Sequence, residues 1–377
     1  MKIAFDTTTA AFAQKTGTGV YCEELVKAYQ SRFCDDQITH SYRITRWFKG
    51  GKYLLPLSEN AQRSVLLDPV TYFNGYSFEI FHGLNTRLPL MGGCKKIATV
   101  HDLFSIFGQF SDSRFIEDQS KKLKLMINRA DHIIVPATFT KNQLVEKMGL
   151  SAERISVVGE GVRQVYLQSK LDNTFQNELR EKSLNIINKK FKILKPYILF
   201  VGTLEKRKNI LGLIKVFEKL NAKLSNNCPD LVLVGSEGFG FEEIKKTIES
   251  SAVKSKIKRL GFVNEAELSG LYRGCSTFVF LSHEEGYGIP VIEAMACGAS
   301  VLTSNTTSLP EVGGGYTWLV DPLDVDHIVI KLVEILSQSE AVIQQVKRGQ
   351  AYASGLTWTK VAEDTRRVYE KILQKSI

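Results

Sequence analysis

The residues best suited to chemistry lie in one run, Ser282-His283-Glu284-Glu285-Gly286-Tyr287-Gly288-Ile289-Pro290-Val291-Ile292-Glu293-Ala294-Met295-Ala296-Cys297-Gly298. An apolar segment, 277–281, precedes it and reads as a strand. Gly286 and Gly288 permit a tight turn and close approach of backbone to a ligand. Pro290 suits the first turn of a helix and Gly298 its end. Strand, glycine turn and helix form a phosphate-binding arrangement, in which backbone N–H groups and the positive helix end face the anion. Glu285 precedes the turn and Glu293 lies in the helix, so the two carboxylates can address one ligand at different points, each as a bidentate acceptor for hydroxyls. The plainer alternative is a glycine turn with two solvated glutamates.

Four other groups sit where open α/β sheets place ligands, at strand ends. Val201-Gly202-Thr203-Leu204-Glu205-Lys206-Arg207-Lys208-Asn209 carries a cation cluster, which could serve a diphosphate or simply start a surface helix. Lys15-Thr16-Gly17-Thr18-Gly19-Val20-Tyr21 opens a helix after the first strand. A dinucleotide fingerprint would need a third glycine, and Cys22 holds that position, which disfavours an NAD-dependent oxidoreductase. Thr99-Val100-His101-Asp102-Leu103 ends another apolar run; Asp102 has the alternative of capping the next turn. Gly261-Phe262-Val263 ends a fourth. Asp324-Val325-Asp326 spells the acidic pair that elsewhere holds Mn²⁺ or Mg²⁺. Here it opens a helical pattern, and capping is the preferred reading.

Glu285-x7-Glu293 with Gly-Tyr-Gly-Ile-Pro between them resembles the signature of GT-B retaining glycosyltransferases, family 4 (group 1), and the resemblance spans nearly the whole chain. It implies a nucleotide-sugar donor in the C-terminal half. Arg207 and Lys208 would grip its diphosphate with the N–H groups of Gly286, Tyr287 and Gly288. Glu293 would hold ribose, Glu285 the donor sugar, and the 261–263 segment would flank the base. Many family members have Gly-Arg where this chain has Gly202-Thr203, so Arg207 and Lys208 must supply that charge. Gly17, Thr18 and Gly19 resemble the loop lining the cleft beside diphosphate and acceptor, and His101 the histidine near the reacting centre. Segment 308–312 also looks family-like. The expected catalytic residues are therefore His101, Lys208 and Glu285, with no metal and no cofactor. The resemblance further implies bacterial surface-polysaccharide synthesis. The expected donor is GDP-mannose, other hexosyl donors remaining open, and the acceptor a glycan or lipid-linked saccharide. A sugar-nucleotide 2-epimerase on the same scaffold and a non-catalytic nucleotide-sugar-binding protein are the rival readings.

These groups need a frame that aligns strand ends. Candidate strands fall at 2–6, 42–48, 78–82, 96–101, 132–136 and 155–158, then at 197–202, 231–235, 258–262, 277–281 and 300–304. Many are continuous apolar runs, as in parallel sheets covered on both faces. Repeated βα units over 377 residues predict two Rossmann-like, doubly wound α/β domains facing across a cleft, and the family resemblance implies that these form a GT-B architecture. The expected division is 1–180 and 181–357, with a polar break near 166–195 that includes Leu171-Asp172-Asn173-Thr174. Trp358, Val361, Ala362, Thr365, Val368, Tyr369 and Ile372 recur at helical spacing, so a final helix, 358–377, is expected to return to the N-terminal domain.

Composition narrows the classes. With 44% hydrophobic and 24% charged residues the chain is globular rather than disordered. Its six cysteines lack CxxC spacing and read as reduced thiols, not a zinc site or disulfide framework. The start, Met1-Lys2-Ile3-Ala4-Phe5-Asp6, reads as a strand rather than a secretory leader, and no apolar run is long enough to span a bilayer. A cytoplasmic protein is expected. The net charge of +9 is dispersed. It implies solvated surface or weak peripheral attraction to anionic lipid, and no nucleic-acid motif accompanies it.

Overall fold

A computed structural model describes residues 1–49, 51–67, 77–85, 87–108, 113–167, 181, 185, 187–193 and 196–374. The chain divides into two compact units, Met1–Gly161 with Thr357–Ile377, and Val162–Leu356. Position 180 and segment 171–174, on which the expected division rested, lie outside the described residues. Within the stretch read as a polar break, Ile187 and Ile193 are buried in the core of the second unit.

In the first unit, β1 (Lys2–Asp6), β2 (Gln37–Arg43), β3 (Ala61–Leu66), β4 (Ile80–Gly83), β5 (Lys95–Thr99), β6 (His132–Val135) and β7 (Ile155–Val157) form a parallel sheet in the order β3-β2-β1-β4-β5-β6-β7. Alternate residues feed opposite layers, which requires apolar side chains on both faces. Ile3, Phe5, Ile80 and Ile97 join one core, and Ala4, Phe81 and Ala98 join the other. The first core is closed by the helix Gly17–Arg32 and by the last helix, Trp358–Gln374, whose buried face consists of the seven residues singled out by their spacing.

Tyr369 is fully buried, and its hydroxyl lies 2.6 Å from His82 Nδ1. Burial presses the His82 pKa down to about 3, so the ring is neutral and one nitrogen must donate while the other accepts. Tyr369→Ala should cost about 3–5 kcal/mol through the cavity it leaves. Tyr369→Phe should cost about 1–3 kcal/mol by orphaning a buried ring nitrogen. Urea unfolding of the pair checks both values, and equal losses would contradict this division.

Of the segment 42–48, only Tyr42 and Arg43 are strand. β2 ends at Arg43, and Ile44–Lys49 is a short helix. Its β-branched and aromatic residues have good strand propensity, but Arg43 N bonds Thr8 Oγ1 and its guanidinium reaches Asp6, ending the ladder there. Tertiary contacts thus override local propensity.

In the second unit, β8 (Tyr197–Val201), β9 (Asp230–Val234), β10 (Ile257–Gly261), β11 (Thr277–Phe280), β12 (Val301–Ser304) and β13 (Trp318–Val320) form a parallel sheet ordered β10-β9-β8-β11-β12-β13. The chain winds outward from β8 to β10, then restarts at β11 on the other side of β8. The gap between the ends of β8 and β11 is therefore the topological switch point, where open α/β sheets bind ligands.

Candidate active site

Two loops meet at that switch point. The loop after β8 contains Gly202, Thr203, Arg207 and Lys208; the loop after β11 contains Glu285, Gly286, Tyr287 and Gly288. One backbone and one side-chain bond tie them, with His283 N donating to Arg207 O at 2.9 Å and Arg207 Nη1 to Glu284 O at 2.6 Å. The first loop needs Gly202 within it and Gly235 beside it, after β9. Gly202 has φ +153° and Gly235 φ +139°, and a Cβ on Gly235 would fall on the Gly202 carbonyl. Asn209 then adopts a left-handed φ of 54°, tolerable for Asn, and donates to Pro322 O at 2.9 Å before the helix Ile210–Leu224 begins.

Lys208 Nζ bonds Glu285 Oε1 and lies 4.8 Å from the centroid of the Phe280 ring. Arg207 Nη1 is 3.4 Å from Glu285 Oε2, and its Nη2 donates to Glu205 at 2.7 Å. Two cations thus face two carboxylates. Burial alone would raise the Glu285 pKa; Lys208, Arg207 and Ser282 outweigh it and hold the carboxyl below its ordinary value. Burial lowers the Lys208 pKa, with Glu285 opposing the shift. Lys208 and Arg207 thus favour the carboxylate form of Glu285.

The glycine turn is fixed from the next strand. Ser308 Oγ donates between the Glu285 and Tyr287 carbonyls, 3.0 Å from each, and Thr307 Oγ1 accepts from Glu285 N at 3.3 Å. Gly288, at φ +112°, precedes the helix Ile289–Ala296; a Cβ there would meet Leu309 Cδ2 at 2.8 Å. The expected family-like 308–312 segment thus acts on the turn through Ser308 and Leu309.

Glu293, on that helix, does not join the Lys208 cluster. Arg163 donates to its Oε1 from Nε at 3.0 Å and Nη2 at 2.8 Å, and Tyr272 OH donates to Oε2 at 3.3 Å. Burial pushes the Glu293 pKa up, and Arg163 and Tyr272 offset only part of that. Arg163 and Tyr272 were not singled out from sequence. Arg163 follows a glycine-rich, charged string, Gly159-Glu160-Gly161-Val162, which was the available signal. At the end of β10, Phe262 is 60% exposed while Val263 is buried. Only the former is open to solvent.

In the first unit, Gly17 opens the helix that carries Thr18 and Gly19, and a Cβ on Gly19 would meet Thr9 O at 2.8 Å. His101 follows β5. Its Nδ1 is 3.5 Å from the buried Glu160, its Nε2 is 3.3 Å from Leu84 O, and Tyr21 packs edge-on at 4.7 Å. Asp102 accepts from Phe104 N at 3.1 Å, as a turn cap would. Asp324 caps the helix Val325–Leu336 through His327 N at 2.9 Å, and Asp326 pairs with Lys219.

A parallel sheet with glycine turns, cations and buried carboxylates at its switch point is equipped to hold a nucleotide's diphosphate and hydroxyls. Family models agree: residues 16–164 match "Glycosyltransferase Family 4" and residues 184–352 match "Glycosyl transferases group 1". The chain is a family 4, group 1 glycosyltransferase. The transferase is 29% identical over 297 residues to O-antigen chain mannosyltransferase B of Escherichia coli, covering 78% of this chain and 75% of that one. Its fold matches sucrose-phosphate synthase from Thermosynechococcus elongatus with a TM-score of 0.77 at 18% identity, over 99% of both chains. It also matches Anabaena Alr3699/HepE in complex with UDP, with a TM-score of 0.72 at 16% identity, over 98% of this chain and 100% of that one. These likenesses establish the GT-B fold.

Proposed function

We propose that the enzyme transfers mannose, with retention, from GDP-mannose to a glycan or lipid-linked saccharide in bacterial surface-polysaccharide synthesis. The observation that carries the site assignment is the Lys208–Glu285–Arg207 cluster at the switch point of the second sheet. The likeness to an O-antigen mannosyltransferase supports the sugar and the setting. In this reading Arg207 and Lys208 bind the diphosphate with the turn at Gly286–Gly288, Glu285 orients the hexose, and Glu293 takes the ribose hydroxyls. Phe262 covers the base. Gly17, Thr18, Gly19 and His101 serve the acceptor side.

The acceptor oxygen bonds to the anomeric carbon on the face the phosphate leaves. The bond from that carbon to phosphate oxygen breaks, and the departing oxygen takes the acceptor proton, giving GDP and a glycoside. Charge grows on the leaving diphosphate, and preorganised cations stabilise it. The reading keeps the enzyme in the cytoplasm, with the +9 charge supporting weak contact with anionic lipid. No described helix is long and apolar enough to cross a membrane.

Two tests follow. Transfer should persist in excess EDTA, since Lys208 and Arg207 supply the positive charge; loss of activity restored by Mn²⁺ would contradict this. GDP-mannose should raise the melting temperature more than UDP-glucose, UDP-N-acetylglucosamine or dTDP-rhamnose, because the true donor stabilises the fold by mass action. A larger shift with another sugar nucleotide would reassign the donor.

A further inference from the structure

We propose that Arg163 is the positioning residue for Glu293, fixing one carboxylate oxygen so that the other faces the ribose hydroxyls of the donor. The inference rests on the reading of Glu293 as the ribose ligand.

Glu293 is 2% exposed. A buried carboxylate stays ionised only with a countercharge and satisfied oxygens. Arg163 supplies the countercharge and satisfies one of the two oxygens. Two of its nitrogens converge on Oε1, its Nη1 bonds Glu265, its Nη2 also donates to the Tyr166 hydroxyl at 2.7 Å, and its guanidinium carbon lies 4.8 Å from the Tyr166 ring centroid. The fork is therefore locked on several sides before any ligand arrives.

A carboxylate offers about four acceptor positions. The two on Oε1 are taken by Arg163, and Tyr272 makes one long bond to Oε2. Oε2 thus keeps capacity for a hydroxyl donor, while Oε1 is committed to the scaffold. Arg163 is 130 residues from Glu293 and stands at the start of the second unit, where Val162 N bonds Leu356 O at 2.7 Å. An anchored backbone and a planar fork set the carboxylate's rotation, which a lysine's single ammonium could not do as well.

The test separates ribose recognition from general damage. Affinities of GDP, 2′,3′-dideoxy-GDP, UDP, 2′,3′-dideoxy-UDP and inorganic pyrophosphate are measured by calorimetry for wild type, Arg163→Met, Arg163→Lys, Glu293→Gln and the Arg163→Met/Glu293→Gln double variant. Methionine keeps an apolar stem over Tyr166, and thermal unfolding checks that each variant is folded. In wild type the diol nucleotide should bind at least tenfold more tightly than its dideoxy form, as expected for hydrogen bonds to a charged group.

Arg163→Met should shrink that preference to about threefold or less, leave pyrophosphate binding unchanged, and raise donor KM more than it lowers kcat. Arg163→Lys should restore part of the preference. The double variant should lose no more than Glu293→Gln alone, because a residue acting only through another is non-additive with it. A preference erased by Glu293→Gln but kept by Arg163→Met would overturn this inference and leave the ribose reading standing. Equal weakening of the diol, dideoxy and pyrophosphate ligands by Arg163→Met would make Arg163 merely structural, again overturning it. A preference that survives Glu293→Gln would remove the ribose reading itself, and the inference with it.

Discussion

Lys208→Ala should lower kcat by about 10²–10³, the usual effect of removing one preorganised contact to developing charge. Lys208 is half-buried against Phe280 and bonded to Glu285, so its ammonium is held in place rather than sampled from solvent. In the proposed mechanism, low local polarity would strengthen its field at the leaving oxygen. Its loss has a second consequence. Glu285 would keep only Arg207, at 3.4 Å, and would gain protons more readily. Arg207→Ala should do less, because Arg207 divides its charge between Glu205 and Glu285. Burial also lowers the Lys208 pKa from its ordinary 10.5. Turnover should therefore fall on the alkaline side as pH rises through that lowered value, ahead of an exposed lysine. Steady-state kinetics across pH checks both effects. Near-normal kcat in the Arg207→Ala/Lys208→Ala variant would show that the charge is stabilised elsewhere.

Glu285→Gln and Glu293→Gln should fail differently. Glu285 is in contact with the cations assigned to the diphosphate. Its change to Gln removes a negative charge beside them, so GDP affinity should hold or rise slightly. The hexose loses its orienting carboxylate, and kcat should drop by about 10²-fold or more, as a small misplacement of reacting groups costs. Glu293 lies with Arg163 and Tyr272, outside that cluster. Its change to Gln should weaken GDP and donor binding by about tenfold, at the scale of a lost charge-assisted hydrogen bond, with a smaller effect on kcat. GDP titrations and kcat measured on the same preparations decide the matter. The same pattern from both variants would undo the division of roles.

How far the sequence could be read depends on how local each signal was. β1 and the buried strands β8 and β9 were legible because continuous apolar runs can satisfy only a doubly covered sheet. The last helix was legible because its buried face repeats at helical spacing over several turns. β3 was missed, since Ala-Gln-Arg-Ser-Val-Leu is an edge strand with polar residues facing water. β13 is a three-residue edge strand, too short for a period to register. The local signature around Glu285, the glycine turn and Glu293 could be read as one string. The partners of Lys208, Arg163 and Ser308 could not be, because each acts across 21 to 130 residues of chain. The ion pairing of Lys208 with Glu285 and the separate housing of Glu293 are products of the fold, not of spacing.

The most direct test of the central claim follows one reaction to its products: the purified enzyme with GDP-α-mannose, with and without a mannose-terminated lipid-linked acceptor, observed by NMR. GDP release should depend on the acceptor and come with a new α-mannoside. A β-mannoside, or equal GDP release without acceptor and free sugar as product, would rule out retaining transfer from this donor.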